Sequence, residues 1–424
     1  MSILFIGLFL VLTIIGVPVA FSLCLSVAYI LVANMHMPLV MIPQILYTGI
    51  DSFSFMAVPF FMLAGSFMSA GGVTKRLVSF SQSLVGSLWG GLAQVVCVSG
   101  MFFAAISGSS AATTAAIGTT MIDEMEKKGY KRDFAAATVA AAGTVGIVIP
   151  PSITMVVYGV VAGVSIGELF VGGFAPGIIM GLSMMLLAYF ISKKNGWRGD
   201  GKFTIKGVLV AFKDSFFALM TPVIIIGGIY GGIFTPTEAA AVAAVYGLVV
   251  GLFIYKELKL KDIPELIFKA VINTVIIMFI VGASKVFGWM LTNLRIPQQL
   301  AQTFMSADMS PFLFLIIVNI LFLIAGTMVN ASSAIVILTP IVLPIALSLG
   351  INPVFFGVLM VVNLAIGTIT PPVGLDLFVA SAITKIPIET LIKKIMPYLL
   401  IMLADLILLT YIPDIIMFLP NLLK

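Results

Sequence analysis

Charge is what this chain has least of. Of its 424 residues only 9% are Asp, Glu, Lys or Arg, while 61% are hydrophobic. A soluble domain carries about a quarter charged residues, so too few are present here to coat a water-facing surface. Histidine occurs once, as His36, and cysteine twice, as Cys24 and Cys97. A single histidine in a connecting stretch excludes a histidine-based metal centre and a Ser/His catalytic set. The cysteines sit in apolar segments without ligand spacing and read as small core residues, not as a disulfide or metal site. No Walker A sequence is present, which excludes direct drive by nucleotide hydrolysis. The net charge of +5 resides mostly in loop lysines, so it reports topology and not nucleic-acid binding.

Apolar runs of membrane-spanning length fill the rest, at roughly 3–33, 54–72, 86–122, 134–160, 165–192, 215–234, 236–255, 265–293, 309–348, 353–382 and 388–418. The chain therefore reads as an all-α polytopic membrane protein embedded in the bilayer. The opening run is too long for a signal-peptide core and has no basic start, so it reads as retained structure that crosses once or twice.

Loop charge orients the segments. "KKGYKR" (127–132), "KKNGWRGDGKFTIKG" (193–207) and "YKELKLKD" (255–262) are rich in lysine, whereas the connections near 34–53, 161–168 and 305–311 hold no basic residue. The first set is then cytoplasmic and the second external. Two segments separate each successive pair of basic loops, in agreement. Only 86–122 and 309–348 break the count. Each is too long for one crossing and is interrupted by small polar residues, as expected of re-entrant hairpins lining a wet or protein-filled interior.

The chain also repeats itself. Gly65 matches Gly288, Leu77 matches Leu300 and Ser109-Ser110 match Ser332-Ser333, all 223 positions on. After a two-residue deletion Gly129, Phe134, Gly146, Pro150-Pro151, Glu168 and Pro176 match residues 221 positions later. Segment 134–160 leaves a basic loop, whereas its counterpart 353–382 ends in one, at Lys385, Lys393 and Lys394. The two copies are thus inverted, a design that places a binding site near the midplane where broken helices meet.

"GIVIPP" (146–151) and "GTITPP" (367–372) supply the breaks. Proline lacks an amide donor and clashes with the preceding turn, so a Pro-Pro pair ends a helix. The carbonyls of Gly146–Ile149 and Gly367–Thr370 lose their helical partners there and become candidate cation ligands. The helix restarting after each break offers free amides to an anion. "SGSSAATT" (107–114) and "NASSA" (330–334) place hydroxyl and amide groups at the hairpin tips, hard oxygen donors that suit Na⁺. Asp376, four positions after Pro372, is an ionisable group at membrane depth. Ser152 and Thr370 flank the breaks. Lys285 and Asp405 belong to no matched constellation and read as snorkelling groups or subunit contacts. "FTPTEAAAVAAVYG" (234–247) reads as a capped helix start and a distant match to "GVPVAFS" (16–22).

"GVPVAF", "SGSSAATTAAIG", "GIVIPPS", "GIFTPTEAAAVA" and "GTITPPVGLDLF" together resemble the large membrane subunit of tripartite ATP-independent periplasmic (TRAP) transporters, over essentially the whole chain. The resemblance implies Na⁺-driven uptake of an organic acid, of sialic acid or C4-dicarboxylate type, across the bacterial inner membrane. It also implies two partners, a periplasmic substrate-binding protein and a small four-helix membrane subunit. The fold it implies is an elevator, with hairpins and broken helices as the transport domain and long flanking helices as scaffold. On that basis residues 1–53 are N-terminal scaffold, 54–192 the first repeat, 193–264 a cytoplasmic loop with scaffold helices, and 265–424 the second repeat. Carried over by position, one Na⁺ site comprises Ser107, Gly108, Ser109, Ser110, Gly146, Val148 and Pro150. The other comprises Asn330, Ser332, Ser333, Gly367, Thr368 and Thr370. The substrate set is Ser109, Ser152, Thr154, Asn330 and Asp376. An uncharged amide is expected where Asp376 stands, so a substrate-facing Asp376 would favour a hydroxylated monocarboxylate over a C4-dicarboxylate. The competing readings are a single-component Na⁺/carboxylate symporter, an ion channel with the same broken helices, and an intramembrane enzyme. The last lacks a converging acid/base or nucleophile set.

Overall fold

The computed structural model describes residues 2–199, 203–296, 298–299, 302 and 310–423. Positions 200–202 of the basic loop, positions 305–309 of the neutral connection and the first residue of the 309–348 segment lie outside the described residues. Among the described residues the structure is helical, with one isolated extended bridge between Trp89 and Arg198. Seven of its helices are long and apolar enough to cross a membrane, or eight counting one bent pair.

The opening run is two helices, α1 (Ser2–Ile14) and α2 (Val19–Ile30). Gly16, at φ +91, and Pro18 turn the chain between them. Next come α3 (Met41–Ile50), α4 (Ala57–Ala70) and α5 (Val73–Val85). Helix α5 buries Val73, Leu77 and Phe80 and leaves Lys75 in the open. Its Arg76 donates from Nη1 to Glu257 Oε1 at 2.8 Å and to Gly72 O at 2.9 Å. The guanidinium also lies 3.7 Å from the centre of the Tyr255 ring, fastening α5 to the lysine-rich loop.

The first hairpin is α6 (Gly91–Ser107) and α7 (Ser110–Lys127), followed by α8 (Arg132–Thr144), a break, α9 (Ile153–Ala162) and the long α10 (Ile166–Lys194). Helices α11 (Ile205–Tyr230), α12 (Pro236–Val249) and α13 (Ile263–Asn293) bridge to the second hairpin, α14 (Pro311–Met328) and α15 (Ala331–Ser348). Then follow α16 (Pro353–Gly367), a second break, α17 (Leu375–Thr384), α18 (Ile388–Tyr411) and α19 (Pro413–Leu422). The apolar run 388–418 is thus two helices bent by 61°. Pro413 holds Ile412 in extended backbone, φ −124 and ψ 74, and stops α18 there.

Side-chain bonds fix the relative direction of the two copies. At the start of α8, Asp133 pairs with Lys394 of α18 at 3.4 Å, and Thr138 shares a 2.9 Å hydrogen bond with Tyr398. Toward the end of α9, Tyr158 Oη donates to Pro353 O, the first residue of α16, at 2.8 Å. The chain therefore enters its first broken helix beside the point where it has just left the second, and leaves the first where it enters the second. That is inversion. The basic stretches meet on the entry face of α8, where the Trp197 ring stacks within 4.9 Å of Tyr130 and 5.0 Å of Phe134.

Helices α6, α7, α17 and α18 all pack on α8. Its residues Ala135–Ala137 and Ala140–Ala142 are fully buried, and small side chains on every face allow so many backbones to approach, as lipid-embedded packing requires. Around this bundle α12 packs on α4 and α2 packs on α13. Helices α4 and α13 are the matched pair carrying Gly65 and Gly288, so each copy's leading helix leans on a scaffold helix, and the two also pack on each other. The capped start of α12 is present, with Thr235 and Glu238 bonding each other's backbone amides ahead of Pro236.

Candidate functional site

Gly108, at φ +60, and Ser109 turn the first hairpin. Ser109 Oγ caps α7 by accepting from Ala112 N at 3.4 Å. Beneath it Ser107 Oγ lies 2.8 Å from Thr113 Oγ1, which donates to Ser109 O at 2.8 Å. This tip sits directly on the first break. A Cβ built on Gly146 would stand 2.5 Å from Thr113 Oγ1 and 2.6 Å from Ser109 O, and one on Gly108 would stand 3.0 Å from Pro151 O. Thr113 belongs to the site although it was not among the predicted ligands. Its place one turn after Ser109 on α7 was the available signal. Thr114, the next residue, has a buried Oγ1 with no partner.

Between α8 and α9 the chain passes through a 3₁₀ turn at Val145–Ile147 and a cis Pro150–Pro151 bond. Ser152 Oγ donates to Ile147 O at 2.6 Å and accepts from Met155 N at 3.2 Å, so it closes the break. The carbonyl of Val148 lies close to α10, where a Cβ on Gly173 would stand 2.5 Å from it.

The second copy has the same plan with different chemistry. Its Pro371–Pro372 bond is also cis. Asn330 caps α15, its Oδ1 accepting from Ser332 N at 2.9 Å, and both Ser332 and Ser333 are buried. Hairpin and break meet backbone to backbone, since a Cβ on Gly367 would stand 2.6 Å from Gly326 Cα. Length alone would let α14 and α15 cross the membrane separately, but their junction ends against a mid-helix break, which keeps the hairpin re-entrant. Thr370 Oγ1 donates back to Ile366 O at 2.8 Å. Thr368 Oγ1 lies 2.6 Å from Ala365 O and 2.7 Å from Asp376 Oδ2, and its one proton serves either acceptor.

Asp376 is fully buried. Its amide donates to Thr368 O at 2.9 Å, and the Ser110 hydroxyl, from the opposite hairpin tip, faces its carboxylate. Oδ1 is nevertheless buried without a hydrogen-bond partner. Asp376 stands one layer back from the site, behind Ser110 and Thr368, which line it.

Both tips and both breaks converge on one cavity of about 70 Å³, lined among others by Ser109, Ser110, Thr154, Asn330, Ser332 and Thr368. Ser152, Ser333, Thr370 and Asp376 support that wall without lining it. Met62, Ser109 and Ile153 also line a vestibule of about 380 Å³ that runs to Lys269, on the face of the lysine-rich loops. Asp405, expected to snorkel or meet a partner, is instead buried and accepts from Ser183 Oγ at 2.5 Å, joining α18 to α10. Cys24 and Cys97 are free thiols.

The description "Tripartite ATP-independent periplasmic transporter, DctM component" matches residues 6–415. The isethionate TRAP transporter permease protein DctMQ of Oleidesulfovibrio alaskensis is 46% identical over 413 residues, covering 97% of this chain and 65% of that protein. The C4-dicarboxylate TRAP transporter large permease protein DctM of Pseudomonas aeruginosa is 44% identical over 376 residues, 89% of this chain and 88% of its own. The sialic acid TRAP transporter large permease protein SiaM of Vibrio cholerae is 37% identical over 407 residues, 96% and 95% of the two chains. Among solved structures, the Alcanivorax borkumensis YdaH transporter, described as having an unusual topology, superposes with a TM-score of 0.62 over 87% of this chain and 88% of its own. At 16% identity that likeness concerns the fold alone. With its inverted broken helices and its match over nearly the full length, the chain belongs to the DctM component family of tripartite ATP-independent periplasmic transporters.

Proposed function

We propose that this chain is the large permease of a three-part, Na⁺-driven uptake system for an organic acid anion in the bacterial inner membrane. The observation that carries the reading is the single buried cavity closed by two hairpin tips and two helix breaks. The polar part of its wall is hydroxyl and amide, set among apolar side chains such as Met62, Ile153 and Ile277, and two oxygens, Thr114 Oγ1 and Asp376 Oδ1, are buried without hydrogen-bond partners. A buried anionic oxygen is tolerated when a cation or a donor satisfies it, and hard oxygen donors suit Na⁺ as the coupling ion. The central cavity has room for an ion and a water or two, and the larger vestibule on the face of the lysine-rich loops is the exit of the organic acid toward the cytoplasm. Exposure of the cavity to alternate faces then requires the hairpins and broken helices to move as a unit against α4, α12 and α13, an elevator motion.

The relatives named above are called transporters of isethionate, a C4-dicarboxylate and sialic acid. All three are organic anions. A periplasmic binding protein supplies the substrate and a small membrane subunit braces the scaffold. The greater length of the DctMQ relative accords with that second partner.

In proteoliposomes with an inward Na⁺ gradient, saturable uptake of one among succinate, isethionate and N-acetylneuraminate is expected only when all three components are present. Uptake by this chain alone would establish a single-component symporter instead. Uptake that neither saturates nor stops when the gradient is collapsed would make it a channel.

A further inference from the structure

A path from the outer face to the central cavity lies along α13, and the structure places an unpaired positive charge on it. Lys285 stands inside this 31-residue helix, two turns from its end. It lines a second cavity, of about 710 Å³, with Thr48 and Ser52 beside α3, Ser284 and Trp289 on α13, and Thr339 on α15. That cavity also meets Val160–Ala162 at the end of α9, the face of the loops without basic residues. It is of the size that holds small organic ligands, about 300–1,000 Å³.

Among the described residues no carboxylate lies within ion-pair distance of Lys285, and no hydrogen bond satisfies its ammonium. Its stem is nonetheless held. A Cβ on Gly49 of α3 would stand 2.8 Å from both Lys285 Cβ and Cγ, so only glycine there leaves the stem room. Trp289, one turn on and on the same face of α13, adds an indole N–H to which no described group is hydrogen-bonded. The hydroxyls of Thr48 and Ser284 donate to their own helix backbones, and that of Thr339 toward Met360 Sδ, so they offer lone pairs and not donors. Lysine and tryptophan, with the uncommitted hydroxyl of Ser52, are thus the donors of a cavity otherwise lined by apolar and accepting groups. An unpaired ammonium at membrane depth is costly and marks a ligand path.

This cavity is in line with the central one. Ile277 of α13 and Ser332 of α15 wall the central cavity, while Lys285 and Thr339 wall the outer one. Eight and seven residues further along their helices, they lie about 12 Å and 10 Å further out at 1.5 Å per residue.

We propose that Lys285 and Trp289 form an outer anion-binding site, which receives the carboxylate or sulfonate group of the substrate as it leaves the binding protein and before it reaches the central cavity. The proposal rests on the transport reading above. Its test uses the complete three-part transporter in proteoliposomes, with whichever of succinate, isethionate and N-acetylneuraminate the wild type takes up. Lys285→Met keeps the stem and removes the charge. It should raise the concentration for half-maximal uptake about tenfold, the typical worth of a charge-assisted hydrogen bond, while Lys285→Arg should stay near wild type. In a chain with Cys24 and Cys97 replaced by alanine, Lys285→Cys should show the same loss. Aminoethyl methanethiosulfonate, which restores an ammonium, should reverse it, and the methyl reagent should not.

Wild-type uptake with unchanged half-saturation in Lys285→Met overturns the proposal and leaves the transport reading intact. So does a Lys285→Met complex that loses its small subunit while any remaining uptake keeps its affinity, which would make Lys285 a subunit contact. Failure of the aminoethyl reagent to restore affinity to a folded Lys285→Cys complex also overturns it. Absence of wild-type uptake for every anion counts against the transport reading itself.

Discussion

Replacing Asp376 with asparagine is expected to raise the Na⁺ concentration for half-maximal uptake by about a hundredfold. Asp376 is fully buried, Thr368 donates to its Oδ2, the Ser110 hydroxyl faces its carboxylate, and Oδ1 has no hydrogen-bond partner. The described residues give it no ion pair. A carboxylate so placed is stabilised by whatever cation shares the site. At an effective dielectric of about 20 and a separation of about 5 Å, the attraction amounts to about 3 kcal/mol, which is about a hundredfold in affinity. Asparagine keeps the shape and can still accept from Thr368, so folding should be preserved while the charge is lost. Uptake measured against Na⁺ at saturating substrate reads the effect, and an unchanged half-saturation would remove Asp376 from ion coupling. Substrate preference should not change, because the side chain lies behind the cavity wall.

Adding one methyl group at Gly146 or at Gly367 should lower the uptake rate about a hundredfold. At Gly146 the new carbon would meet Thr113 Oγ1 at 2.5 Å and Ser109 O at 2.6 Å. At Gly367 it would meet the Gly326 backbone at 2.6 Å. Neither neighbour is a flexible side-chain end that yields cheaply. Overpacking costs about 1–3 kcal/mol, but the larger consequence is geometric. Hairpin tip and break would separate, and displacing a binding constellation by about 1 Å is worth about a hundredfold in rate. Gly227, on α11, has nothing within 4 Å of its added carbon. There Gly→Ala should leave uptake intact and stabilise by up to about 1 kcal/mol. Equal uptake in the Gly146→Ala and Gly367→Ala variants would show that tip and break need not touch.

The sequence carried the parts of this fold that have a local cause. Paired prolines end helices wherever they fall, and serine or asparagine at a tip caps the helix that follows, so both breaks and both hairpins were legible. The inversion was legible too, because lysines remain on one side of a bilayer. Short or two-faced elements were not. Helix α3 is ten residues long, and α5 mixes lysine and arginine with its buried face, so neither forms an apolar run. Orientation was also beyond reach. That Gly173 leaves room for the Val148 carbonyl and that Ser110 faces Asp376 depends on contacts made by chain segments far apart in sequence. Glycine matches at 65 and 288 or at 146 and 367 said that something approaches closely. Only the fold says what, as with Gly326 against Gly367.

Alternating access requires this cavity to be exposed to one face of the membrane at a time. Ala112 is exposed, lies one turn past the first tip, and lines the vestibule on the face of the lysine-rich loops. In a chain with Cys24 and Cys97 replaced by alanine, an A112C variant can be probed with a membrane-impermeant thiol reagent from either side. Reaction is expected from the basic face at rest, and from the opposite face once Na⁺ and substrate-loaded binding protein are supplied. Reaction from both faces at once, or from a single face under every condition, would contradict it.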